Sequence, residues 1–182
     1  MNKKTATSYF VMAQKYRKQG RYRKAQNALR VALNIWPKFP EAYNELGLIY
    51  RKEGESEKAI QAYKKALHLN PKSAATALNL GICYLYQEDE LKAVSYFKKA
   101  VKYKPRYAYA HFNLGSTYFD LAKYSEAIKY LEKSIKWDPS FLAAYEICAM
   151  AYLILKDKHK ADILFKKLEK LKRQARLKNV AA

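Results

Sequence analysis

The chain has 182 residues, half of them hydrophobic, with 36 Lys/Arg against 16 Asp/Glu and a formal net charge of +20. This length and apolar fraction suit one domain with a buried core and exclude a disordered chain. No stretch approaches the roughly 18 consecutive apolar residues of a membrane span, and the first residues hold no apolar run of signal-peptide length, so a cytoplasmic protein is expected. The two cysteines, Cys83 and Cys148, lie inside apolar helical patterns and read as buried free thiols of a reducing compartment.

Taken in chain order, the pattern is helical from the start. Residues 1–39 carry ten Lys/Arg and no acid, and "QKYRKQGRYRKAQNALR" interleaves tyrosine with arginine. Here Arg17, Lys18, Arg21, Arg23, Lys24 and Arg30 form a candidate basic surface, while Tyr16 and Tyr22 read as packing residues. In residues 40–73, Tyr43, Leu46, Gly47 and Tyr50 follow the i, i+3, i+4, i+7 spacing of one helix face. After a turn at Gly54, Ala59, Tyr63, Ala66 and Leu67 begin a second such face, which Pro71 stops. Residues 74–107 and 108–141 repeat the design: "LNLGICYLY" echoes "FNLGSTYFD" 34 residues later.

Four registers keep that period: Pro37, Pro71, Pro105 and Pro139; Tyr16, Tyr50, Tyr84, Tyr118 and Tyr152; Ala25, Ala59, Ala93, Ala127 and Ala161; and the small residues Ala13, Gly47, Gly81, Gly115 and Ala149. Five helical hairpins follow, at 6–39, 40–73, 74–107, 108–141 and 142–175, with an extension at 176–182, all in a single domain of residues 1–182. A lone hairpin cannot bury its apolar faces, so stacked neighbours make the core. In the fifth copy Cys148 and Ala149 replace Leu-Gly, Leu168 replaces a late Ala and Arg173 replaces Pro. Without that stop the last helix is expected to run on, with Ala161, Leu164, Phe165, Leu168 and Leu171 on one side and Lys166, Lys167 and Lys170 in water.

The unit "AYNELGLIYRKEGESEKAIQAYKKALHLNP" resembles the tetratricopeptide repeat, whose pattern sets aromatic, Leu-Gly, Tyr, Ala, aromatic, Ala and Pro at fixed offsets. The resemblance covers residues 6–175. It implies an all-α, right-handed superhelical solenoid, with a concave groove lined by the first helix of each hairpin and a partner peptide held there.

On the face of the first helices that would line this groove, repeats one and two offer mainly polar or basic side chains, Phe10 and Leu48 excepted. Repeats three to five turn apolar, with Leu78, Ile82, Leu85, Tyr86, Tyr109, Phe112, Phe119, Met150 and Leu153. Such a patch exceeds what soluble monomers leave bare. Three covers compete: a partner's apolar helix or extended peptide, a second copy in a homo-oligomer, or the chain's own curvature and tail. Asn79 and Asn113, one position before each Leu-Gly, suit hydrogen bonds to a bound peptide backbone. The carboxylate clamp of chaperone-binding relatives is not matched: its first pair of positions reads Phe10/Gln14, Asn44/Leu48 or Leu78/Ile82.

A second candidate surface is the stripe Arg30, Lys64/Lys65, Lys98/Lys99, Lys133 and Lys166/Lys167 on the second helices. With the basic first repeat it would draw an acidic protein, RNA or an anionic membrane surface. Catalysis is not expected, nor a cofactor or metal. His68, His111 and His159 sit at unrelated offsets without partners at ligand spacing, and both thiols occupy interior positions. The expected role is a non-enzymatic scaffold or adaptor that binds a protein segment in the groove of repeats three to five. The alternatives are a self-assembling scaffold and a binder of RNA or anionic lipid.

Overall fold

The computed structural model describes residues 2–180, with side chains through Leu177. Among the described residues it is all-α, with ten helices and no strand. The backbone divides into two compact units, Met1–Glu88 and Asp89–Ala182, so the division falls within the third repeat. The first unit holds α1 (Lys3–Lys18), α2 (Tyr22–Ile35), α3 (Pro40–Lys52), α4 (Ser56–Leu69) and α5 (Ala74–Tyr86). The second holds α6 (Glu90–Tyr103), α7 (Ala108–Asp120), α8 (Tyr124–Trp137), α9 (Leu142–Ile154) and α10 (Lys158–Val180).

Within each unit every helix packs on the next, and the first helices of successive repeats are also neighbours: α1 with α3, α3 with α5, and α7 with α9. Ala13, Gly47, Gly81, Gly115 and Ala149 are buried, as are all five alanines of the Ala25 register. At Gly115 a methyl group would sit 2.7 Å from the Leu131 side chain and 3.1 Å from backbone atoms of Ala127 and Leu131. At Gly47 it would meet the Tyr63 ring at 2.5 Å, and that ring is itself fully buried. The missing side chain therefore sets how closely α7 approaches α8 and α3 approaches α4.

The turn inside each hairpin is also periodic. Residues 20, 54, 88, 122 and 156 have φ between 56° and 79°. Gly20 and Gly54 adopt this left-handed conformation without steric cost, whereas Glu88, Ala122 and Lys156 hold it with a side chain, at about 1–2 kcal/mol each. The geometry ends the first helix. The N–H groups of Arg21, Glu55, Lys123 and Asp157 donate to the carbonyls of Tyr16, Tyr50, Tyr118 and Tyr152 at 2.8–2.9 Å, satisfying carbonyls the helix leaves bare. The tyrosine register thus marks the last turn of each first helix. At the other end of the hairpin, Trp36, Asn70, Lys104 and Asp138 donate back to residues 32, 66, 100 and 134, just before each proline. Where Arg173 replaces that proline, α10 continues to Val180, with Ala161 and Leu168 buried and Lys166, Lys167 and Lys170 exposed.

Two opposite substitutions test this packing. Gly115→Ala should lower stability by about 1–3 kcal/mol, although alanine in an open helix position gains about 1 kcal/mol over glycine. Ala122→Gly should raise stability by about 0.5–1 kcal/mol by relieving the left-handed turn. Urea unfolding reads both, and equal or inverted shifts would contradict the close approach.

Candidate functional site

The first-helix face differs between the units. In the first unit it is polar: Gln14, Asn44, Glu45, Ser73 and Thr76 line a concavity of about 200 Å³ beside Phe10. Leu48, Ile82 and Leu85 are half-buried, and Tyr86 is 72 % exposed. Leu78 corrects the sequence expectation of a groove residue. It is 2 % exposed, because α5 is apolar around most of its circumference and buries seven of its thirteen residues, which leaves no free stripe at that position. Both candidate asparagines are engaged within the chain: Asn79 donates from Nδ2 to Asn44 Oδ1 at 3.2 Å, and Asn113 donates to the Tyr109 carbonyl of its own helix at 2.7 Å.

In the second unit the face is aromatic. Tyr109, Phe112 and Phe141 form a cluster with ring centroids 4.5–6.4 Å apart. Phe119 packs edge-on against Tyr124 at 5.4 Å. Tyr109, Met150, Leu153 and Ile154 remain 40–48 % exposed. Phe119 and Leu153 hold the same repeat position on the neighbouring helices α7 and α9. Two carboxylates border the patch. Glu146 takes the position that Phe112 holds one repeat earlier, and both it and Asp120 are exposed. Burial of part of its carboxyl, then the Glu90 charge, raises the Asp120 pKa above its ordinary value. Phe141 is absent from the residues that the helix-face pattern selects, since it lies just before α9. Its signal is the period, because Phe39 and Tyr107 occupy the same offset.

The basic candidates separate into two kinds. Lys18, Arg21, Arg23, Lys24 and Arg30 are exposed. Arg17 is not a free surface cation: its Nε donates to Glu45 Oε1 across α1 and α3, and the Glu45 residue is 3 % exposed. The sequence did carry a signal for this pair, since Glu45 puts an acid where repeats three and four have asparagine. On the second helices the lysine stripe is exposed and leans on the tyrosine register. Lys64 Nζ lies 5.9 Å from the Tyr84 ring and Lys98 Nζ lies 5.7 Å from Tyr118. One repeat later Glu132 stands in that place and accepts a 2.6 Å hydrogen bond from the Tyr152 hydroxyl.

Burial pushes the Cys83 thiol up to about 11 and, with the Glu132 charge adding to it, the Cys148 thiol up to about 12. Neither is poised as a nucleophile. Among the described residues no group of three or more His, Cys, Asp or Glu comes together to hold a metal ion. Among the same residues no helix is long and apolar enough to cross a membrane.

Comparison with known proteins agrees with this geometry. Residues 40–73, and residues 74–107 and 108–141, match two family profiles described as Tetratricopeptide repeat, and residues 13–54 match one described as TPR repeat. No curated protein sequence matches the chain significantly. Solved structures do. MamA is 27 % identical over 90 % of this chain and 95 % of its own, with a TM-score of 0.81. PilW, described as a widely conserved type IV pilus biogenesis factor, is 25 % identical over 92 % of this chain and 78 % of its own, at 0.79. PilF of Pseudomonas aeruginosa is 22 % identical over 92 % and 76 %, at 0.84, a likeness of fold alone.

The Arg17–Glu45 pair yields a direct test. Arg17→Ala leaves a buried carboxylate unpaired and should cost about 2–4 kcal/mol, whereas Lys18→Ala and Arg21→Ala should each change stability by less than about 0.5 kcal/mol. Thermal unfolding of the three variants separates a structural ion pair from a surface charge, and three similar midpoints would contradict the assignment.

Proposed function

The chain belongs to the tetratricopeptide repeat family, a class of protein–protein interaction scaffolds, and from that premise we propose that it holds an apolar partner segment on the α7–α9 face of its second unit. One observation carries the reading. Tyr109, Met150, Leu153 and Ile154 stay exposed beside the half-buried Phe112, Phe119 and Phe141, although each such side chain gains about 1.5–3 kcal/mol on full burial. Soluble proteins rarely leave so large an apolar surface without a use for it. Rigid aromatic side chains also make good anchors, because little conformational entropy is lost when they are covered.

The bordering carboxylates refine the partner. Glu146 and Asp120 would meet a basic group on a segment that is otherwise apolar, so the occupant we favour is an amphipathic helix or extended strand with at least one Lys or Arg. Binding takes the apolar contacts from α7 and α9 and leaves Asn113 in its own helix. The exposed cations of the first unit, Lys18, Arg21, Arg23 and Lys24, would draw an acidic surface of the same or another partner. PilW, similar in sequence and fold, is described as a type IV pilus biogenesis factor. A part in building such an assembly is the role we carry across.

The test compares the protein with a Tyr109→Asp, Leu153→Asp variant in affinity purification from native cells. Both residues are exposed in the free protein, so the helical circular-dichroism signal should be retained. The partner captured by the wild-type chain should be lost from the variant, its affinity reduced at least about a hundredfold. Equal capture by both forms would sink the reading.

A further inference from the structure

A concavity of the second unit, about 420 Å³, lies on the side of α6 and α8. Lys98 and Lys102 from α6 and Lys133 and Lys136 from α8 converge on it, and no acidic side chain is among its lining residues. Tyr130 and Trp137 form its apolar wall. Lys133 Nζ stands 5.6 Å from the Tyr130 ring, and Lys136 Nζ stands 5.2 Å from the Trp137 ring. The Arg106 guanidinium lies at 5.2 Å from the same indole, a fifth cation beside the rim. Four ammonium groups around one small volume repel one another, and a bound anion would relieve that repulsion, although Lys98 also has the Tyr118 hydroxyl and the Glu126 charge to oppose its own.

This set of charges is not simply the repeat. Moving one period toward the C-terminus, the positions of Lys98, Lys102, Lys133 and Lys136 become Glu132, Lys136, Lys167 and Lys170. There the glutamate lowers the local charge and takes the Tyr152 hydroxyl. Two periods toward the N-terminus they become Arg30, Asn34, Lys65 and His68. Of the three junctions that lie within a single unit, the one at α6–α8 alone has lysine at all four.

The floor of the concavity is ordered. His111 is 4 % exposed, and its Nε2–H donates to the Pro105 carbonyl at 2.8 Å, tying the α6–α7 loop to α7. Tyr145 repeats the bond one period later, from its hydroxyl to the Pro139 carbonyl. The other ring nitrogen, Nδ1, is buried without a hydrogen-bond partner. Burial, opposed by the Pro105 bond and reinforced by the Lys133 charge, holds the His111 pKa below its ordinary value, so the imidazole is neutral and the cationic field at this site comes from lysine.

We propose that this concavity binds a small ligand through a diphosphate or similar multiply charged phosphate group. The ammonium groups would supply charge-assisted hydrogen bonds to its oxygens, and a volume of about 420 Å³ is in the range of small-molecule sites. The site stands apart from the α7–α9 face and does not depend on the partner-binding reading.

Inorganic pyrophosphate is the probe, titrated into the full chain at low salt and followed by calorimetry and by the His111 and Trp137 ring resonances. Saturable binding at one site per chain is expected, with both rings shifting. Lys102→Gln with Lys136→Gln should weaken it about tenfold or more. Lys64→Gln with Lys65→Gln, the same charge removed from α4, should leave it within about twofold, and circular dichroism should show both variants folded. Equal weakening by the two pairs means diffuse attraction to a basic chain and overturns the site, as does a failure to saturate. Vesicles carrying a phosphoinositide separate a lipid headgroup from a soluble source. Vesicle retention that pyrophosphate displaces supports the same site, and retention that it does not displace, without binding in solution, overturns it.

Discussion

The close approach of two helix backbones inside a hairpin, made between α3 and α4 and between α7 and α8, is the constraint from which the rest follows. It is made where a side chain is reduced to hydrogen or methyl on one helix and a large group fills the space from the other, as at Gly47 with Tyr63 and Gly115 with Leu131. Protein interiors are packed nearly as tightly as organic crystals, so an added methyl at such a point has nowhere to go. Once these crossings are fixed, the faces of the helices are committed. One side of α3 and of α7 closes on its own hairpin, another meets the neighbouring repeat, and whatever remains is available to solvent or to a partner.

What remains differs along the chain for reasons of residue type alone. In the first unit, polar side chains on that remaining face find one another, as Arg17 finds Glu45 and Asn79 finds Asn44. In the second unit, Tyr109, Phe112 and Phe141 can only cluster among themselves, and Met150, Leu153 and Ile154 stay partly in water. The same scaffold therefore offers a self-satisfied surface at one place and an unsatisfied one at another. Lysines of the second helices, leaning on the tyrosines that end the first helices, make a cationic border. A single change of sign, Glu132 for lysine, is enough to turn a cation–aromatic contact into a hydroxyl–carboxylate hydrogen bond.

The period made the fold legible. Each register had one structural meaning throughout: Tyr118 ends a first helix as Tyr50 does, and Ala127 is buried as Ala59 is. The left-handed turn was equally periodic, but glycine marks it only at 20 and 54. At 88, 122 and 156 the conformation is imposed by the surrounding hairpin on residues that do not advertise it. The candidate face was legible in outline only. Helix-face arithmetic identified Tyr109, Phe119 and Leu153, but it treats every position on a face alike. It therefore kept Leu78, which α5 buries, and passed over Phe141, which enters from outside a helix. Arg17 read as surface because its partner belongs to the next repeat, a contact that no single-helix pattern contains.

Native-state hydrogen exchange resolved by residue tests the central claim most directly, because it reports the stability of each crossing in the intact chain. The slowest amides should be those of α3 and α4 around Gly47 and Ala59, and those of α7 and α8 around Gly115 and Ala127. The start of α1 and the part of α10 beyond Arg173 should exchange fastest. Protection spread evenly over all ten helices, or greatest in α1 or α10, would contradict a structure organised by close contacts at its small residues.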